Sequence, residues 1–212
     1  MGSASAPHEG EESPAYPGTC RAYQGRTAEQ VTRETGRPAC WRLRVETGTV
    51  AFEDAIAGPH SIDVAAEAGD FPLTRFDGPP PAPAYQLAVV ADDHAMDMDL
   101  VIRGDDLLSS TPRQLLLYRA LGWQPPRFAH VPLVIGADGK RLAKRHGESR
   151  IAQFRAAGVP AEKVVGWAAW RSGQIEKLRE MSAQEMVGRF DLAKLPRERV
   201  VLGAEDIAWL RR

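Results

Sequence analysis

The segment from Asp99 to Gly136, which contains "DLVIRG", "STPRQLLLYRALGW" and "HVPLVIG", constrains the fold more than any other part of this chain. The first and last are short apolar runs bounded by turn residues, too short for stable helices and suited to buried strands. The middle one carries the punctuation of a helix: Thr111 as N-cap, Pro112 at the first helical position, Gln114 three residues past the cap, and Gly122 as the stop. A strand, a capped helix and a strand within about 40 residues predict a βαβ crossover, the unit of a parallel sheet whose sites lie at the carboxyl ends of its strands. Arg103 and a basic loop, "ADGKRLAKRH", both follow such ends.

The flanking sequence assigns the rest of the chain. Residues 1–17 are rich in Ser, Ala, Pro, Gly and Glu with almost no large apolar side chain, and are expected to form a disordered tail. "TAEQVTRETG" predicts a short helix, with Thr27 and Gln30 at capping-box spacing and Gly36 as its end. "CWRLRV" and "TVAFEDAI" alternate with period 2 around Glu46–Gly48, which predicts a hairpin or adjacent strands. "GDFPLTRFDG" continues the β character up to the proline-dense turn Gly78–Pro83, a domain boundary. "YQLAVVADDHAM" predicts a buried helix beginning at Tyr85. After His146 the pattern is helical: "IAQFRAAG", a helix started by Pro160, and one with Ser182 and Glu185 at capping-box spacing.

Composition narrows the class. Twenty-seven basic and 28 acidic residues give a formal charge of −1, so any polyanion must be met by a local patch and not by the net field. No run of about 18 apolar residues could span a bilayer, and the first 20 residues lack a secretory pattern. A cytoplasmic protein without membrane contact is expected, with Cys20 and Cys40 as reduced thiols.

Several residues could carry chemistry. Arg103, delivered by an apolar strand beside Gly104, could clamp a carboxylate bidentately, or pair structurally with Asp105 or Asp106. Tyr85 could turn its hydroxyl into the same crevice or be half-buried core. The acids and histidine of "DDHAMDMD" fit no metal-ligand loop and read as solvated or capping groups. His130 enters a buried strand and reads as a core histidine. Tyr16 and Cys20 in "YPGTC" could ligate zinc, but a structural site needs four ligands. Lys140 and Lys144 are the only lysines in the first 162 residues, where nearly every other cation is arginine. An ammonium is a compact charge on a flexible stem, suited to following a phosphate; a solvated basic turn is the alternative.

Taken together, "AYQLAVVADDHAMDMDLVIRGDDLLSSTPRQLLLYRALGW" and "FAHVPLVIGADGKRLAKRHG" resemble the catalytic core of the glutamyl-tRNA synthetase family, from about Tyr16 to the C-terminus. The resemblance is nearest to its short members, which transfer glutamate to the queuosine base of tRNA(Asp). It implies an α/β fold: the C-terminal half of a Rossmann-like class I synthetase catalytic domain followed by a helical region. Residues 18–83 would then be a zinc-insertion remnant with a β-rich connection, 84–147 the second half of the nucleotide-binding domain, and 148–212 a stem-contact-like helical region. "RLAKR", Arg141, Leu142, Ala143, Lys144 and Arg145, is similar to the family's KMSKS loop, with Lys144 in the catalytic and ATP-binding role. Tyr85 and Arg103 would hold glutamate. Tyr16 and Cys20 fall on half of the family's zinc site, whose Cys-x-Cys partner pair has no counterpart here, so zinc retention is not expected. The implied substrates are glutamate, ATP with Mg and tRNA(Asp), handled by a monomer. The family's HIGH segment also has no counterpart, which leaves two other expectations open: a fragment of an ordinary glutamyl-tRNA synthetase, or a non-catalytic RNA- or partner-binding remnant. The 68 residues after Lys144 are too few for large anticodon-binding domains and favour the short members.

Overall fold

The computed structural model describes residues 15–46, 48–75, 82–139, 142 and 151–212. The chain divides into two compact units, Met1–Ala129 and His130–Arg212.

In the first unit, helix α1 (Ala28–Thr35) has the capping box read from its sequence. The Gln30 amide N–H donates to the Thr27 hydroxyl at 3.2 Å, and the Thr27 N–H donates back to the Gln30 side chain at 2.8 Å. Strand β1 (Arg42–Leu43) follows, then β2 (Thr49–Asp54), β3 (Gly58–Asp63), helix α2 (Val64–Glu67) and β4 (Phe71–Pro72). β1 and β2, expected as a hairpin or as adjacent strands, do not pair with each other. β1 pairs antiparallel with β4, and the hairpin is instead β2–β3, in register from Thr49 opposite Asp63 to Asp54 opposite Gly58. Its turn has a local cause: the buried Asp54 carboxylate accepts the N–H groups of Ile56 (3.0 Å) and Ala57 (2.8 Å).

Helix α3 (Tyr85–Ala95), strand β5 (Leu100–Gly104), a 3-10 turn (Asp105–Ser110), helix α4 (Thr111–Leu121) and strand β6 (Arg127–Val131) complete the crossover region. The sheet runs β3-β2-β6-β5, and β6 is parallel to β2 where Phe128 faces Asp54. β5 and β6 are therefore neighbours joined through a helix, as the strand–helix–strand reading required. The core packs Val90 of α3, Leu117 and Tyr118 of α4, Val50 of β2 and Phe128 of β6. Each large side chain buried this way contributes about 1.5–3 kcal/mol.

"HVPLVIG" is not one strand. Pro132 lacks an amide to donate and falls between β6 and strand β7 (Val134–Gly136). β7 belongs to the second unit, where it pairs in parallel with β8 (Val200–Leu202). Helices α5 (Ile151–Ala156), α6 (Ala161–Arg171) and α7 (Ala183–Val187) lie between the two strands in sequence, and α8 (Ala204–Arg211) follows β8. The Pro160 and Ser182 starts stand where the sequence placed them, with the Ser182 hydroxyl accepting the Glu185 N–H at 3.1 Å. β8 and α8 were not anticipated. Phe154, Trp167, Leu202 and Leu210 form this unit's core.

Candidate functional site

Strand β5 ends by delivering Arg103, and the chain reverses through the 3-10 turn so that the first turn of α4 comes back beside it. The Nη2 of Arg103 donates to the Thr111 hydroxyl and to the Gln114 side-chain carbonyl, both at 2.8 Å, and more weakly to the Leu107 carbonyl at 3.4 Å. Thr111 and Gln114 are three apart on α4, which puts both on one helix face. The guanidinium carbon lies 5.3 Å from the centre of the Phe128 ring, a cation–π distance. Tyr85, first residue of α3, lies close enough to the guanidinium to act on its charge. Tyr85 and Arg103 therefore meet.

Behind these contacts runs a row of buried polar side chains. Gln114 donates its Nε2 to Gln86 Oε1 at 2.9 Å, and Gln86 donates its own Nε2 to Ser110 Oγ at 3.0 Å. Arginine has only donors, so the Gln114 atom facing it must be oxygen, and the orientation of both amides follows in sequence. Gln86, Ser110, Thr111 and Gln114 are all buried, Gln114 to 2% exposure.

Burial pulls the Arg103 guanidinium below its ordinary value, against the opposite influence of Tyr85, Asp93 and Asp54. It remains cationic, as guanidinium does throughout the accessible pH range. Burial likewise raises the Asp93 carboxyl, with Arg103 opposing. The Tyr118 hydroxyl is pushed up to about 12, chiefly by burial and then by Asp93, and it has no hydrogen-bond partner among the described residues.

Sequence reasoning assigned Thr111 and Gln114 to helix capping. In the structure the cap position is Ser110, without a side-chain cap bond, because the 3-10 turn already runs in helical geometry into α4. That frees Thr111 and Gln114 for Arg103. Gln86 and Ser110 were missed. The signal for the glutamines was a polar side chain set inside an otherwise apolar helix, in "YQLAVV" and "RQLLLY".

Of the lysine loop, Arg141, Ala143, Lys144 and Arg145 lie outside the described residues, as does Lys140. Leu142 packs against the Phe154–Trp167 core of the second unit. His130 is buried, as expected for a core histidine. His94, in the acidic stretch, stacks on Trp123 with ring centres 3.9 Å apart.

Tyr16 and Cys20 also come together, but as protein partners: the Cys20 N–H donates to the Tyr16 hydroxyl at 2.7 Å, and Arg42 lies over the Tyr16 ring. Gly69 lets the Tyr16 backbone pass close to it. It has φ 63°, and a Cβ there would fall 2.3 Å from the Tyr16 carbonyl oxygen. Cys40 lines a cavity together with Tyr16 and Cys20, its thiol raised by burial. Among the described residues no group of three or more His, Cys, Asp or Glu converges as a metal site, and these donors do not make up a four-ligand zinc shell. Nor is any described helix long and apolar enough to cross a membrane.

An arginine at a strand's carboxyl end, framed by helix starts, stands where open α/β sheets bind their ligands. The family of class I tRNA synthetases (E and Q), catalytic domain, matches residues 4–209, and this chain belongs to it. It is 48% identical to the glutamyl-Q tRNA(Asp) synthetase of Symbiobacterium thermophilum over 99% of this chain and 64% of that protein. It is 38% identical to glutamate-tRNA ligase 2 of Syntrophus aciditrophicus over 93% of this chain and 40% of that one. The crystal structure of the glutamate-tRNA synthetase from Elizabethkingia anophelis superposes with a TM-score of 0.73 at 27% identity, covering 93% of this chain and 44% of that one. The chain thus spans less than two thirds of the length of these relatives.

Proposed function

We propose that this chain is part of an enzyme that activates glutamate with ATP and transfers it to the queuosine base of tRNA(Asp). The observation that carries the reading is Arg103: a cation at the end of β5, held through Nη2 by the Thr111 hydroxyl and the Gln114 amide oxygen, with Tyr85 close enough to act on its charge. Such a group is built to receive a carboxylate. The α-carboxylate of glutamate must react, since its oxygen attacks the α-phosphorus of ATP as pyrophosphate leaves. Arg103 therefore takes the side-chain carboxylate, with Tyr85 beside it. Lys144 stabilises the charge that develops on the departing pyrophosphate, and the glutamyl group then passes from AMP to a hydroxyl of the tRNA. Relatives named for both tRNA(Asp) and glutamate-tRNA ligation support the substrate class.

The test uses the complete gene product. Glutamate-dependent exchange between ATP and pyrophosphate should be present and should not need tRNA. Labelled glutamate should then appear on tRNA(Asp) containing queuosine and not on queuosine-free tRNA(Asp). Transfer to tRNA(Glu) instead would assign the terminal adenosine as acceptor. No exchange at all would support a non-catalytic role.

A further inference from the structure

We propose that the cavity walled by the Thr19–Tyr23 turn, helix α1 and the segment leading into β1 holds unpaired nucleotides of an RNA, with Trp41 as the surface on which a base stacks and Arg37 as a phosphate contact. The inference rests on the reading of RNA as the glutamate acceptor and deepens it by naming where in the first unit the RNA is gripped.

The cavity measures about 850 Å³, toward the upper end of the roughly 300–1,000 Å³ typical of ligand pockets, and its lining shares no residue with the Arg103 site. Its charge is one-sided. Arg21, Arg26, Arg37, Arg42 and Arg44 line it against a single carboxylate, Asp70. That carboxylate is already committed: Arg21 grips it with Nε and Nη2, both at 2.8 Å, and the Val45 N–H donates to it at 2.9 Å. Arg26 and Arg44 pair with Glu34 and Glu46, acids outside the lining, in exposed ion pairs that a phosphate could replace at little cost. The Arg37 side chain has no hydrogen-bond or ion-pair partner among the described residues. In a chain of formal charge −1, this is the local patch that contact with a polyanion requires.

Charge alone would suit any anion, whereas flat aromatic surface selects bases. Trp41 is 48% exposed although its backbone is pinned: its N–H donates to the Thr74 hydroxyl at 3.0 Å, and its carbonyl accepts the Leu73 N–H at 2.7 Å. An indole held in place yet left in solvent presents a face for stacking. Two guanidinium groups beside it already lie over rings, Arg42 at 4.0 Å from the centre of Tyr16 and Arg26 at 5.7 Å from that of Tyr23. Bases on aromatic rings and guanidinium planes, with phosphates on cations, is the chemistry by which single-stranded RNA is held. A duplex hides its base faces and an acidic peptide lacks bases, so neither uses the indole in this way.

Binding of tRNA(Asp) and of a short single-stranded oligoribonucleotide to the complete gene product tests this, read by tryptophan fluorescence, by retention of labelled RNA and by salt titration. Trp41→Phe keeps a stacking ring and removes the fluorophore, so the quenching that RNA causes in the parent should largely disappear there while affinity stays within about three-fold. Trp41→Ala should weaken binding by about 5- to 150-fold, the range for one lost base stack. Arg37→Ala should weaken it less and lower the slope of log affinity against log salt by about one. A Trp41→Ala protein with the parent's affinity overturns the proposal, and so does a duplex of equal phosphate count bound as well as the single strand, which leaves charge alone. Quenching by AMP at the concentrations that suffice for the oligonucleotide overturns the RNA assignment in favour of a free nucleotide. If Trp41→Ala does not fold, the Trp41→Phe quenching and the Arg37→Ala slope still decide. A parent that binds no tRNA removes the RNA reading and this proposal together; a parent that binds it beside variants of equal affinity removes the cavity assignment alone.

Discussion

Replacing Asp206 with alanine should destabilise the second unit by more than any other single truncation of a polar side chain described in it. Asp206 is 4% exposed and heads α8, where its carboxylate gathers four donations. Trp167 Nε1 donates at 3.0 Å, the Gly203 N–H at 2.8 Å, and Arg171 Nη2 reaches both oxygens at 2.7 and 2.6 Å. Asp206→Ala leaves the indole N–H and the Gly203 N–H without their acceptor, at about 1–3 kcal/mol for each unsatisfied buried group. Breaking a buried ion pair costs about 3–5 kcal/mol, but the Arg171 side chain is 34% exposed and recovers part of this from water. The net expectation is about 3 kcal/mol, measured by urea unfolding with tryptophan fluorescence, to which Trp167 itself contributes. The pH dependence has a definite sign. Burial alone would raise the Asp206 carboxyl, but Arg171, Trp167 and Gly203 outweigh it and hold it below its ordinary value. A depressed carboxyl contributes stability that is present above the unfolded value near about 3.9 and disappears as the pH falls through the folded value. The parent should therefore lose stability below about pH 4 more steeply than Asp206→Ala. A loss under about 0.5 kcal/mol at neutral pH, the size of an ordinary surface change, would refute the reasoning.

Other outcomes follow from the loop and from one glycine. Lys144→Ala should slow glutamyl-adenylate formation by about 100-fold or more, as expected for removing one electrostatic stabiliser, with ATP binding little changed. Lys144→Arg should recover part of this and Lys140→Ala should be mild; pyrophosphate exchange on the three variants decides, and a fast Lys144→Ala enzyme would return the loop to a solvated turn. Gly166→Ala should destabilise by about 1–3 kcal/mol, although helix propensity alone would favour alanine by about 1 kcal/mol. The added Cβ would sit 1.8 Å from the Arg179 carbonyl oxygen, and thermal unfolding reads the sign directly.

Much of the fold was legible because its signals are local. The capping box of α1, the starts of α6 and α7, and the apolar run of β5 each reside in a few consecutive residues. Strand pairing was not legible. β1 and β2 alternate alike, and only the Asp54 turn, made by a side chain folding back on its own backbone, assigns β2 to β3. β8 was missed because three residues carry too little pattern without β7 to complete the pair. At the site, Arg103 stood out as a charge on an apolar strand, while its supports did not. Gln114 at capping-box spacing is indistinguishable in sequence from a true cap, and the Gln86–Gln114 pair joins residues 28 apart whose relation exists only once α3 and α4 pack.

The central claim is that Arg103 receives the carboxylate of glutamate, and the most direct measurement is the paired change in KM for glutamate and for ATP on Arg103→Ala in the complete gene product. A carboxylate deprived of a buried guanidinium loses about 3–5 kcal/mol, which corresponds to a rise in the glutamate KM of about 100-fold or more. The account predicts that rise with an ATP KM within about two-fold of the parent. Equal changes in both constants, or none in either, would contradict it and leave Arg103 as a structural residue of the β5–α4 corner.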